Sequence, residues 1–237
     1  MAKAPLLLLP GMLCDRASWR AQIHALSDPY EITVAEFGDA DDIVAMAKGV
    51  LANAPERFAL AGHSMGGRVA LSLYRMAPER VTHLGLFATD FRGHADAAAR
   101  AGEATRRDGM MARVAAVGLA EFARGWAKQV VSPSRLDDAA LLDDIATMMA
   151  RHRPEQLAAQ TLAGLTRPDF ADVVPRIACP ALLIAGEDDT LRPASVHREM
   201  AEMIAGSELL ALAQCGHMVA MEKPDAVTAA MRRWLAL

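Results

Sequence analysis

Cysteine and lysine are both scarce in this chain. Its three cysteines, Cys14, Cys179 and Cys215, are far apart in 237 residues and form no CxxC pair. That excludes a disulfide scaffold and argues against a thiolate zinc site. No basic excess exists either: 25 Lys and Arg, only four of them Lys, face 29 Asp and Glu, for a net charge of −4. A protein built to hold a phosphate backbone carries such an excess, so no nucleic-acid partner is expected. No uninterrupted apolar run approaches the roughly 18–20 residues of a membrane span, so no membrane partner is expected. The most apolar N-terminal stretch, Leu6 to Leu9, lies between Pro5 and Pro10. It is too short for the apolar region of a signal peptide. The chain is therefore expected to be soluble and cytoplasmic.

What is present suits a globular enzyme. Hydrophobic residues make up 53% and charged residues 23%, enough to bury a core and too apolar for disorder across the whole chain. The length allows one large domain or two small ones. Strand-like apolar runs alternate with helical patterns. Ala4 to Leu9 is continuous, as expected of a strand covered on both faces. Tyr30 to Phe37, Arg57 to Ala61, Val81 to Thr89, Cys179 to Ala185 and Glu208 to Ala213 read as further strands. Helical spacing is read over Asp41 to Asn53, Met65 to Ala77, Ala194 to Ile204 and Pro224 to Leu237. This alternation predicts an α/β fold with a mostly parallel sheet flanked by helices. The exception is residues 91–169, which lack a good strand. They read as short helices broken near Gly109, Gly118, Pro133 and Pro154. The expected division is a core of residues 1–90 and 170–237, with an all-helical cap over 91–169.

The sharpest motif is Gly62-His63-Ser64-Met65-Gly66-Gly67, which fits G-x-S-x-G between a strand and a helix. With this Gly and Ser content, only about 0.04 chance matches are expected, so the motif carries information. Its spacing places a serine on a tight, strained strand-to-helix turn with the hydroxyl above the sheet. The helix N-terminus then favours negative charge there, and the Met65 N–H is placed to bind an oxyanion. Neither G-x-G-x-x-G nor G-x-x-x-x-G-K-[ST] is present, so a phosphate-binding turn is disfavoured.

A serine hydroxyl needs a base, and the base an orienting acid. His217 follows the last strand, at the edge where open α/β sheets form their sites. His197 also comes late but sits inside a helical pattern, so it is read as a helix-surface residue. The acid should come from an earlier loop at the same edge. Glu187, Asp188 and Asp189 follow one strand directly and Asp90 ends another; spacing alone does not choose among the four.

These segments resemble the α/β-hydrolase fold, in its short, capped, esterase-like form, over nearly the whole chain. The resemblance rests on Leu8-Leu9-Pro10-Gly11-Met12, on the Ser64 motif, on Ala185-Gly186-Glu187-Asp188-Asp189 with Pro193, and on Gly216-His217. It implies that the fourth residue of Gly-x-x-Asp, Asp189, is the triad acid. It also implies a second oxyanion donor after the first strand, at the N–H of Met12. The chain departs from the family there, with Pro10-Gly11 in place of His-Gly. A helical cap that shapes the substrate pocket is implied as well.

The function expected is a serine hydrolase of small carboxylic esters, thioesters or lactones, with a small-molecule acyl substrate and neither cofactor nor metal. Carbon–carbon bond hydrolysis, lyase or cofactor-free peroxidase and oxygenase chemistry are alternatives on the same residues, as is a ligand-binding protein without turnover. Met12, Met65, Met218, Met110, Met111, Met148 and Met149 suit a hydrophobic acyl pocket or simply the cap core. Trp19 and Trp126 are core anchors or pocket walls. Cys14 and Cys215 are read as packing. Arg68 is expected in a salt bridge or in solvent. Arg106-Arg107-Asp108 is read as the start of a cap helix whose arginines form a solvated face. The sharper alternative is that one of them binds a substrate carboxylate or phosphate.

Overall fold

The computed structural model describes residues 3–236. Six strands form one sheet: β1 (Ala4–Leu9), β2 (Tyr30–Val34), β3 (Phe58–His63), β4 (Val81–Phe87), β5 (Ala181–Gly186) and β6 (Glu208–Leu212). Their spatial order is β2-β1-β3-β4-β5-β6, and every neighbouring pair is parallel. All six expected strands are present, with ends moved by a few residues. The run of leucines in β1 shows why no polar residue interrupts it. Leu7 and Leu9 enter the core on one face of the sheet and Leu6 and Leu8 the core on the other, as period-two alternation demands.

Each face is covered by helices. On one side lie α2 (Ile43–Asn53), α3 (Met65–Met76) and α8 (Ala194–Met203), through Ile43, Val69 and Met200. On the other lie α1 (Arg20–Leu26) and α10 (Pro224–Trp234), through Trp19, Ile23 and Trp234. The short helix α1 was not expected from the sequence. Asp42 caps α2, accepting from the Ala45 N–H at 2.8 Å, the usual way a first-turn donor is satisfied.

Between β4 and β5 the chain leaves the sheet for four helices: α4 (Ala97–Val117), α5 (Leu119–Val130), α6 (Ala139–Ala150) and α7 (Pro154–Leu165). Their shared core includes Phe122, Ile145 and Met149, and it reaches Leu13, Cys14 and Met218 on the sheet's loops. Gly109 does not break this segment; α4 runs through it, with nothing within 4 Å of where a side chain would begin. The breaks are at Gly118 (φ 80°), Pro133 and Pro154.

Candidate active site

β3 delivers Ser64 to the carboxyl edge of the sheet in a conformation that few L-residues adopt, φ 53° and ψ −115°. Such a backbone costs on the order of 1–3 kcal/mol and persists only where its surroundings hold it. Here the Ser64 N–H donates to the Phe87 carbonyl at 2.9 Å. The Ser64 carbonyl accepts from the Gly67 N–H at 3.0 Å and from the Thr89 hydroxyl at 2.7 Å. The chain turns here only because Gly62 and Gly66 bring bare backbone together. A Cβ on Gly66 would fall 2.6 Å from the Pro10 carbonyl oxygen.

The loop after β6 brings His217 over this serine. His217 Nε2 lies 2.9 Å from Ser64 Oγ, and Nδ1 lies 2.7 Å from Asp189 Oδ2. All three groups are satisfied when Nδ1–H donates to Asp189 and Nε2 accepts the Ser64 hydroxyl. Asp189 follows β5, and its other oxygen accepts from the N–H groups of Leu191 at 2.8 Å and Arg192 at 2.9 Å. Burial works to raise its pKa, but the charge and hydrogen bond of His217 and the two N–H groups outweigh that and hold it below the usual carboxylate range.

The other three acid candidates lie elsewhere. Asp188 accepts from the Ser132 hydroxyl at 2.6 Å. Glu187 faces Arg198. Asp90 pairs with Arg68 and Arg192.

The loop after β1 turns at Gly11 and Met12, with Leu13 at φ 52°. The Leu13 N–H donates to Gln160 Oε1 at 2.8 Å, which ties this loop to α7. Among the described residues, no acceptor engages the N–H of either Met12 or Met65. Both residues line a cavity of about 660 Å³ that also contains Ser64 and His217. That size is ordinary for a small-molecule site, for which roughly 300–1,000 Å³ is typical. Its apolar wall includes Trp126, Met110, Met148 and Met149, while Trp19 belongs to the core under the sheet.

Several nearby residues depart from what their sequence positions suggested. His197 is not on a helix surface; it is fully buried, and its Nε2 accepts from the Thr89 N–H at 3.1 Å. His63, adjacent to Ser64, is buried and donates through Nε2 to the His217 carbonyl at 2.9 Å. Glu222, in the short helix α9 (Val219–Glu222), was unremarked in sequence. It is 1% exposed and accepts from the N–H groups of Ser132, Gly216 and Met218, joining the end of α5 to the histidine loop. Arg68 is in a salt bridge, one of its two expected settings, and is buried there against Asp90, whereas Arg107 sits in the middle of α4 with its side chain only 14% exposed. A solvated face describes Arg106 but not Arg107. Cys14 and Cys215 are buried, with thiol pKa values pushed up chiefly by burial, so both pack rather than react.

The two buried histidines predict how stability responds to acid. Burial above all lowers His63 to about 3 and His197 to about 4. In the unfolded chain both protonate near 6.5, so between about 4 and 6.5 the unfolded state binds more protons and stability falls with pH. Two such groups together cost on the order of 2–3 kcal/mol between pH 7 and pH 5.5. His83, His94 and His152 shift the same way, whereas Glu222, pushed up chiefly by burial, opposes them. Urea unfolding at the two pH values should show a drop of this size, reduced by about half in His197→Gln. Equal stability at both would refute the account.

The model of the alpha/beta hydrolase family matches residues 6–230. The chain belongs to that family and is a hydrolase. The pimeloyl-(acyl-carrier protein) methyl ester esterase of Aliivibrio fischeri is 28% identical over 241 residues, covering 97% of this chain and 93% of that protein. The dihydrolipoyllysine-residue acetyltransferase component of the acetoin cleaving system of Pseudomonas putida is 28% identical over 248 residues and covers 98% of this chain. The chain spans only 63% of that longer protein. Among solved structures, a thermophilic esterase from Thermogutta terrifontis superposes with a TM-score of 0.85 at 28% identity, over 99% of this chain and 90% of that one. Among the described residues, no helix is long and apolar enough to cross a membrane, and no three His, Cys, Asp or Glu side chains cluster as a metal site would require.

Proposed function

We propose that the chain is a serine hydrolase of small carboxylic esters, thioesters or lactones, working through an acyl-enzyme on Ser64. The observation that carries this reading is the continuous hydrogen-bonded series Asp189, His217, Ser64 at the wall of the cavity. Ser64 Oγ attacks the acyl carbon as its proton passes to His217 Nε2, and Asp189 stabilises the imidazolium. The N–H groups of Met12 and Met65 hold the negative charge that develops on the carbonyl oxygen. Collapse breaks the acyl–heteroatom bond, and the leaving alcohol or thiol takes the proton from His217. Water then attacks the acyl-enzyme, giving its proton to His217, which returns it to Ser64 as the acid leaves. The helices of residues 91–169 act as the cap that shapes the acyl pocket. The similarity to a methyl ester esterase supports ester cleavage. Three free cysteines suit a reducing cytoplasm.

Treatment with a fluorophosphonate, read by intact mass, tests the nucleophile. One adduct is expected on the native chain and none on Ser64→Ala. No adduct on folded native protein would overturn the acyl-enzyme reading and turn attention to carbon–carbon bond or oxygen chemistry.

A further inference from the structure

We propose that the cationic side of the cavity is a binding site for a carboxylate carried by the substrate, with Arg107 as the contacting residue and Arg106 at the rim. The substrate class is then the half-ester of a short dicarboxylic acid. This takes the ester-hydrolase reading as its starting point and adds what the acyl chain must carry.

The charge around the cavity is one-sided. Four arginines line it, Arg68, Arg106, Arg107 and Arg192, against one carboxylate, Glu103. Behind the wall the pairing remains unequal. Arg68 and Arg192 share Asp90, while Arg107 and Arg167 share Glu103. Two carboxylates therefore serve four guanidinium groups, and Arg106 has no acidic partner among the described residues. Water does not settle the imbalance, because the side chains of Arg68, Arg107 and Arg167 are only 4%, 14% and 9% exposed. The two clusters also feel each other. Burial pushes the Arg68 guanidinium down to about 9, Asp90 opposes this, and the charges of Arg192 and Arg167 lower it further. Holding like charges together out of water is costly, and an anion placed between them relieves that cost.

Arg107 has the geometry to take that anion. Its Nε and Nη2 both turn to Glu103 Oε1, leaving Nη1 with only the Met12 sulfur, at 4.0 Å. Sulfur is a weak acceptor, and guanidinium donors pair best with carboxylates. The helix opposite is bare at Gly164, where a Cβ would lie 2.9 Å from Arg107 Cζ. Met12 links the two ends of the site: it follows Gly11, where a Cβ would lie 3.3 Å from Ser64 Cβ, and its thioether rests on Arg107. The spacer between ester and carboxylate is therefore short, and the methionines of the cap line its path.

The test compares monomethyl succinate, glutarate and adipate with the corresponding ω-amides, which keep the shape and lose the charge. The native chain is expected to favour the best acid over its amide by about tenfold or more in kcat/KM, expressed in KM. Arg107→Gln should bring that ratio toward one. Arg107→Lys should restore part of it, and Arg106→Gln, on an exposed residue, should lower it two- to threefold, roughly as a rim charge does. In parallel, succinate, glutarate and adipate are titrated calorimetrically into Ser64→Ala, with and without Arg107→Gln. Binding that Arg107→Gln abolishes supports the site even if no ester is turned over, in which case it is the hydrolase reading that fails. Ester turnover with equal rates on acid and amide, and no dicarboxylate binding, overturns the site alone. A response to alkyl phosphates but not to dicarboxylates overturns the carboxylate assignment.

Discussion

Asp189→Asn is expected to lower kcat/KM for ester hydrolysis by about ten-thousandfold, equivalent to roughly 5.5 kcal/mol of transition-state stabilisation. The reason lies in the hydrogen bonds on the far side of the carboxylate. Asp189 Oδ1 is held by the N–H groups of Leu191 and Arg192. In the Asn variant only the amide oxygen can satisfy those donors, so the amide NH2 must turn toward His217 Nδ1. That nitrogen then has to accept, the ring proton moves to Nε2, and the base can no longer take the Ser64 proton. The fold should persist, because every donor around the side chain keeps its partner. Glu187→Gln and Asp188→Asn are the controls, since their carboxylates face Arg198 and Ser132 and not the imidazole. Each is expected to stay within about threefold of the native rate, in the range of ordinary surface effects. A large loss in Asp188→Asn with little in Asp189→Asn would reverse the assignment. Ser64→Ala and His217→Ala should each cost as much as the double variant, because the groups act as one unit.

The central strands were legible because burial on both faces leaves apolar runs, as in Leu6 to Leu9, whereas the edge strand β2, with alternating exposure, was legible from its β-branched and aromatic residues. The serine turn was legible because its glycines are demanded by local sterics. What escaped reading depends on contacts distant in sequence. Ala194, His197 and Met200 recur at i, i+3 and i+6 and all are buried; counting His as polar hid that stripe. Gly109 suggests a helix break by its type, yet an exposed glycine costs a helix only about 1 kcal/mol, which packing elsewhere along α4 offsets. Glu103 and Arg107 stand four apart, so their pairing was visible in principle. That Glu103 must also serve Arg167, sixty-four residues further along, was not. Among Glu187, Asp188 and Asp189 the local sequence offers no choice. The structure separates them by what lies opposite, and Ser132 and His217 are remote in the chain.

Gly66→Ala is expected to cost at least about 3 kcal/mol of stability and to leave little activity in whatever folds, although alanine is the better helix former. The new methyl would meet backbone, at the Leu9 and Pro10 carbonyls, and not the yielding end of a side chain. β1 is paired on both edges, to β2 and β3, so it cannot retreat without breaking ladders on either side. The displaced carbonyls immediately precede Gly11 and Met12, so the loop that carries the proposed oxyanion donor would move with them. The same substitution elsewhere should have the opposite sign. Gly109 in α4 and Gly125 in α5 have nothing within 4 Å of the added carbon and ordinary helical backbone. Gly109→Ala and Gly125→Ala should each stabilise by about 0.5–1 kcal/mol through helix propensity and a less free unfolded chain. Thermal unfolding of the three variants, read beside ester turnover, separates the effects. If Gly66→Ala proved as stable and active as Gly109→Ala, the turn at Ser64 could not depend on bare backbone meeting bare backbone. The strain held at Ser64 would then need another support.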